Sequence, residues 1–302
     1  MFKIIAGYDA GQLPAVKTEV LFHHNNIFAM KQVLIVGAGH QFPQGPLAFL
    51  GAMKENERVH ARGLFFRAVD YSTLAAATAS ANLVPIMELE DNEKEWLTTH
   101  KTLFARQCEE QYIPYSIHEN DEEWNKALLV KESRFADLIL ISGQLFFAET
   151  GNRQPNHYLR EALHDAECPV LVIPENFGTL RHLFIAYDGS RESLYAIKQF
   201  CYLFPWLTDL PTEILYVHEG ESDHIPDLEP LQQFTRLKFN SMSFSKLHFN
   251  AAEYFPTWIS EKQDVLLISG SFGRSPVSYL GKRSFSEDVI RNHRVPIFIA
   301  HP

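Results

Sequence analysis

The sequence predicts an α/β protein in which one parallel βαβ pattern is laid down twice. Three observations carry this. Short continuous apolar runs such as Val265-Leu266-Leu267-Ile268 alternate with longer helical stretches, as expected of strands covered on both faces. Asp264 in Lys262-Gln263-Asp264-Val265-Leu266-Leu267-Ile268-Ser269 stands 127 residues after Asp137 in Phe135-Ala136-Asp137-Leu138-Ile139-Leu140-Ile141-Ser142. Pro296, heading Ile297-Phe298-Ile299-Ala300, stands the same 127 residues after Pro169, which heads Val170-Leu171-Val172-Ile173. A shared offset at two separate segments marks an internal repeat.

The elements of the second copy follow in order. Strands are expected near 183–187, 213–218, 243–248, 264–269 and 296–300. Helices are expected near 190–204, 227–239, 251–262 and 283–293. Alternation of this kind implies parallel strands joined by right-handed crossovers. In the first copy, Gln32-Val33-Leu34-Ile35-Val36 matches His182-Leu183-Phe184-Ile185-Ala186 at an offset of 150. The difference of 23 puts extra residues in the first copy, assigned to 70–92. The Pro/Gly-containing stretch Pro174-Glu175-Asn176-Phe177-Gly178-Thr179 reads as a short linker. This divides the chain into a domain at 30–174 and a domain at 175–302, closely packed. Residues 1–29 are expected to be an extension outside the fold, with an extra strand or arm packed on the domain as the alternative.

Composition excludes several classes. The 302 residues carry 27 Lys+Arg against 37 Asp+Glu, a net charge of −10. That balance argues against a nucleic-acid binder and a polybasic membrane anchor. No apolar run approaches the roughly 18 residues that span a bilayer. Ile4-Ile5-Ala6-Gly7 is too short for a secretory signal and Asp9 interrupts the segment. Cys108, Cys168 and Cys201 form no C-x-x-C pair, so neither a disulfide framework nor a thiolate zinc site is expected, and a cytoplasmic setting fits. The fourteen histidines show no metal-ligand spacing: His218, His224 and His248 fall on different segments. Glu88-Leu89-Glu90-Asp91 with Glu93 reads as a solvated loop and helix start, and Glu119-Asn120-Asp121-Glu122-Glu123 as a helix start. No G-x-S-x-G elbow, Walker loop or paired acid marks a catalytic centre, so no catalytic residue is assigned.

Two strand ends in the second copy could bind a ligand, because doubly wound sheets bind at the carboxyl ends of strands where strand order reverses. The first is Tyr187-Asp188-Gly189-Ser190. Its acid can accept from ribose hydroxyls, or the three residues can be simply a turn and a helix cap. The second is Ser269-Gly270-Ser271-Phe272-Gly273-Arg274-Ser275, with a helix expected to open at Arg283-Ser284. Glycines after a strand let N–H groups approach phosphate oxygens, and a helix start adds partial positive charge. Arg274, Lys282 and Arg283 add three cations between 270 and 286 with no acid, so an anion site is expected there, with a solvated basic loop as the alternative.

These residues resemble the universal stress protein family, closely over 181–302 and more loosely over 31–174. The family shows an acid after its first strand, here Asp188. After its fourth it shows G-x-x-G, nine residues and G-[ST], here Gly270, Gly273, then Arg283-Ser284. Arg283 replaces the third glycine. It either hinders the close approach of phosphate or reaches the phosphates itself as a bidentate donor. Val217 matches a position whose backbone meets adenine in nucleotide-binding members.

The resemblance implies two adenine-nucleotide-hydrolase-like domains, each a five-stranded parallel sheet of order 3-2-1-4-5. It also implies pairing through the fifth strands, here 169–173 against 296–300. It implies ATP or a related nucleotide, with Mg²⁺, held by Asp188, Val217, Gly270, Gly273, Arg274, Arg283 and Ser284, with at most slow hydrolysis. A protein partner and a further dimer are compatible with it. A nucleotide-free interaction protein of the same fold is the alternative reading, and a small-molecule group-transfer enzyme a third. The first copy is expected to bind no nucleotide. Ala38 stands where the acid would be, and Phe146, Asn156 and His157 replace Gly273, Arg283 and Ser284; Gly143 alone keeps the pattern. Leu145-Phe146-Phe147 is expected to pack against its partner or to line a pocket for something uncharged, and Gly37-Ala38-Gly39 is only a fragment of a dinucleotide fingerprint.

Overall fold

The computed structural model describes residues 29–38, 41–67, 84–118, 125–144, 164–217, 225–247, 257–270 and 294–302. Residues 1–28, and with them nearly all of the expected extension, lie outside the described residues.

The first copy runs β1 (Lys31–Ala38), α1 (Gln44–Asn56), β2 (Val59–Phe66), α2 (Val84–Glu110), β3 (Tyr115–Ile117), α3 (Lys126–Ser133), β4 (Leu138–Ser142) and β5 (Val170–Ile173). The second runs β6 (His182–Tyr187), α4 (Arg191–Leu203), a 3-10 turn (Pro205–Leu207), β7 (Thr212–Val217), α5 (Leu228–Arg236), β8 (Met242–Leu247), β9 (Val265–Ser269) and β10 (Ile297–Ile299). The strands expected in the second copy lie within about a residue of where the apolar runs put them. Three other expectations shift. The acidic stretch 88–93 lies within α2 instead of a loop ahead of it, because the helix already begins at Val84. Part of the 70–92 insertion is therefore helix, and its residues 70–83 lie outside the described residues. Helix α3 starts at Lys126, with Asn125 accepting from the Leu128 N–H at 3.1 Å; residues 119–124 lie outside the described residues.

The sheet matches the expectation in part. All the described strands form one continuous mixed ten-stranded sheet, ordered β3-β2-β1-β4-β5-β10-β9-β6-β7-β8; the expected pairing of the fifth strands is present and makes one sheet where five strands were expected in each half. Neighbours within 31–173 are parallel, and so are neighbours within 182–299. The seam is antiparallel: Ile297, Phe298 and Ile299 pair with Val172, Leu171 and Val170. Edge strands left bare expose a row of unpaired backbone groups; joining the two fifth strands removes two such edges at once.

Both faces of the sheet are covered, which is why its strands read as unbroken apolar runs. Val33 and Ile35 of β1 turn to one core, and Leu34 and Val36 to the other. In β9, Leu266 and Ile268 join the first core, and Val265 and Leu267 the second. The first core crosses the seam. Phe49 of α1 meets Phe204 at 5.5 Å, Trp206 at 6.3 Å and Phe177 of the linker at 5.4 Å. Phe204 in turn meets Phe200 at 5.2 Å and Phe298 at 5.7 Å. Lys31 adds a polar tie: its ammonium donates to the carbonyls of Tyr202 and Leu203 at 3.3 and 2.8 Å and pairs with Glu57 at 3.1 Å. A cation at the carbonyl end of α4 answers both its unpaired acceptors and its dipole.

The three cysteines are buried and unbridged. Burial pushes the Cys108 and Cys168 thiols up to about 12 and the Cys201 thiol to about 11, from an ordinary value of 9.0. Neutral thiols are therefore favoured in the fold, while the unfolded chain loses their protons first. Stability linked to them is complete below about pH 9 and is lost as pH rises towards 11–12. We expect urea midpoints to fall above pH 9, and a Cys→Ala triple variant to lose part of that slope. An identical alkaline slope in the variant would show that the thiols are not its source.

Candidate functional site

In the second copy, β6 lies between β7 and β9, so connections leave its two sides in opposite directions and open a crevice at the carboxyl ends of these strands. Val217 ends β7, Asp188 follows β6 and Gly270 follows β9. The fold thus brings three of the expected site residues to one edge of three neighbouring strands. The other four, Gly273, Arg274, Arg283 and Ser284, lie outside the described residues.

Local sequence explains the turn that presents Asp188. The side chain is exposed, and its Oδ1 accepts from the Ser190 N–H at 2.9 Å. Gly189 takes a φ of +84°, a conformation open to glycine, and a Cβ there would stand 3.0 Å from Pro226. Ser190 caps α4, its Oγ accepting from the Ser193 N–H at 3.1 Å. The Asp-Gly-Ser segment is therefore a turn and a cap, and it leaves the Asp188 side chain exposed at the carboxyl end of β6. Gly270 is fixed by close packing. A Cβ on it would lie 2.3 Å from Ser193 N and 2.5 Å from Ser193 Cα, so the chain leaving β9 runs directly against the first turn of α4.

Four residues of this corner carried no signal in the sequence reading. Tyr187 is fully buried and donates from its hydroxyl to the Pro226 carbonyl at 3.1 Å. Burial raises its pKa, with Asp227 and Asp188 adding to the shift, and the neighbouring Tyr216 is raised by burial and then by Asp188. Both phenols are therefore held neutral beside two carboxylates. Asp227 sits at a φ of +51° ahead of α5. Tyr187 adjoins the Asp188 motif and its burial follows from strand alternation with Leu183 and Ile185; Pro226 and Asp227 are placed by tertiary packing that no local pattern encodes. Among the described residues this corner is acidic and hydroxyl-bearing, chemistry that suits a sugar hydroxyl or a cation more than a bare phosphate.

In the first copy β1 ends at Ala38, where no acid is available, and Phe146, Asn156 and His157 lie outside the described residues. The principal charged cluster there is structural. Arg62 of β2 forms a two-pronged pair with the buried Glu132 of α3, and His118 meets the same carboxylate at 3.2 Å. Among the described residues, no group of three or more His, Cys, Asp and Glu side chains is placed to hold a metal ion. Among them also, no helix is long and apolar enough to cross a membrane.

A structure of a universal stress protein from Archaeoglobus fulgidus superposes with a TM-score of 0.65 at 16% identity, covering 89% of this chain and 96% of that one. This chain has the universal stress protein fold. In sequence it is similar to universal stress protein Slr1230 of Synechocystis, 28% identical over 131 residues. That match spans 43% of this chain and 45% of the Synechocystis protein, less than half of either. The cytoplasmic domain of a prokaryotic cation chloride cotransporter covers 89% of the chain at 12% identity with a TM-score of 0.44, too low to support any inference. No family model matches the chain. The resemblance read from the sequence to universal stress proteins thus holds in fold and in sequence.

Proposed function

We propose that this protein is a cytoplasmic stress-response regulator that binds ATP or a related adenine nucleotide in its second half, 175–302. The halves 30–174 and 175–302 are then two adenine-nucleotide-hydrolase-like domains fused through their fifth strands. The observation that carries the reading is the alignment of Val217, Asp188 and Gly270 at the carboxyl ends of three neighbouring strands where strand order reverses. In this reading Asp188 holds ribose or adenine, and the backbone of Val217 faces the base. The turn from Gly270 to Gly273, with Arg274, Arg283 and Ser284, cradles the phosphates, and Mg²⁺ offsets their charge. Among the described residues, Asp188 is exposed at the carboxyl end of β6, and Gly270 lets the chain leaving β9 run against the start of α4. The sequence shows no motif for a water-activating base, so any turnover of bound ATP is expected to be slow. The nucleotide-bearing fold would then signal through a protein partner, alone or as a further dimer.

A second reading, a nucleotide-free interaction protein, is favoured by one observation. The Asp188 carboxylate and the Ser190 hydroxyl are both engaged in building the turn and cap of α4. Isothermal titration with ATP–Mg²⁺ separates the two. The first reading predicts saturable heat at ATP concentrations up to about 1 mM, lost in an Asp188→Ala, Gly273→Val double variant that keeps its circular dichroism. Wild-type protein giving no heat and no thermal shift over that range would leave the second.

A further inference from the structure

Helix α1 starts without a cap of its own. Pro43 precedes it with no side-chain acceptor, and its first turn holds no acidic residue. The N–H groups at a helix start need acceptors from elsewhere. One arrives from the linker just past β5: Glu175 Oε2 accepts from the Gly45 N–H at 2.8 Å. The Glu175 N–H donates to Gln144 Oε1 at 3.1 Å, and the Gln144 N–H donates to Ser142 Oγ at 3.2 Å. Residues just past β4 and just past β5 are thereby drawn onto the start of α1, at the strand-order reversal between β2-β1 and β4-β5. The approach is close enough to need glycine: a Cβ on Gly45 would lie 2.0 Å from the Pro174 carbonyl oxygen. The second carboxylate oxygen, Glu175 Oε1, is buried and makes no hydrogen bond among the described residues.

The second half solves the same problem differently. Its first helix, α4, is capped by its own Ser190 and carries Glu192 in its first turn. A carboxylate on an N–H of a helix start occupies the position a bound anion adopts; here it takes the Gly45 N–H, while the Gln44 and Leu47 N–H groups donate to the Phe42 and Pro43 carbonyls. We propose that Glu175 is a built-in anion. Its carboxylate takes the place of an external one at the start of α1, so the linker itself makes the two halves unequal. This rests on contacts of the linker with α1 and Gln144 and stands whether or not the second half binds nucleotide.

Chemical rescue tests it. Glu175→Ala removes the carboxylate and opens the space, and should lower the thermal midpoint by about 2–4 °C. Sodium formate, which restores the missing carboxylate, should recover most of that loss saturably, while sodium chloride at equal ionic strength should not. Glu175→Gln keeps the space filled and should show no formate effect. Equal responses to formate and chloride, or an equal formate effect on wild type, would overturn the proposal. Should Glu175→Ala fail to fold, amide NMR of wild-type protein gives an independent reading. The Gly45 amide proton, donating to a carboxylate, should resonate downfield in wild-type protein and move upfield in Glu175→Gln. A Gly45 resonance that ignores the Gln substitution contradicts the proposal.

Discussion

Replacing Phe204 by alanine is expected to lower stability by about 3–5 kcal/mol, and to lower it for the whole molecule at once. Phe204 belongs to the second copy by sequence, yet its fully buried ring packs on Phe49 of the first copy as well as on Phe200 and Phe298. Truncation would leave a cavity in the part of the core that both halves share. The antiparallel seam is only three residue pairs long, so this aromatic group has to carry much of the coupling between halves. Urea unfolding should give coincident transitions by tryptophan fluorescence, through the adjacent Trp206, and by far-ultraviolet circular dichroism. A loss below about 1 kcal/mol, or separate transitions for the two halves, would show that each half has a core of its own.

Gly270→Ala should cost about 3 kcal/mol, a large effect for one methyl group. The added carbon meets backbone atoms of Glu192 and Ser193, at 2.3–2.5 Å, and backbone in a capped helix start cannot step aside as a side-chain tip can. Either α4 shifts, breaking the Ser190 cap, or the end of β9 does; both distort the crevice at Asp188. Gly178→Ala is the control, because a Cβ there has nothing within 4 Å, and it should change stability by no more than about 0.5 kcal/mol. Equal stability of the two variants would mean that the chain after β9 is not held against α4.

The strands were legible in the sequence because burial on both faces leaves a local signature: four or five consecutive apolar residues, as in Leu138–Ser142 and Val265–Ser269. The repeat and the strand-five pairing followed from the common offset and the family likeness. The long α2 was missed at its start, since Glu88, Glu90 and Asp91 carry charge in the pattern of a loop while the helix that contains them begins at Val84. The strand-five pairing, which merges the two sheets into one, had no local mark and came from the family likeness alone: Val170–Ile173 reads the same whether its far edge meets another strand or a loop. At the candidate site, Asp188 and Gly270 were legible as motif residues. The packing duty of Gly270 against Ser193 and the Tyr187–Pro226 contact depend on segments that meet only in the folded chain. Glu175 illustrates the same limit. In sequence it is a linker residue, and its role appears only when β5 delivers it to Gly45.

The central proposal is one of asymmetry between two similar halves: the second would bind an adenine nucleotide, and the first would carry a carboxylate of the linker at its helix start instead. Photocrosslinking with an azido-adenine analogue of ATP, followed by peptide mapping, tests it most directly. The account predicts ATP-competed adducts on peptides carrying Asp188, Val217 or the segment after Gly270, and none within 31–173. Adducts concentrated in 31–173, or labelling that excess ATP fails to compete, would contradict it.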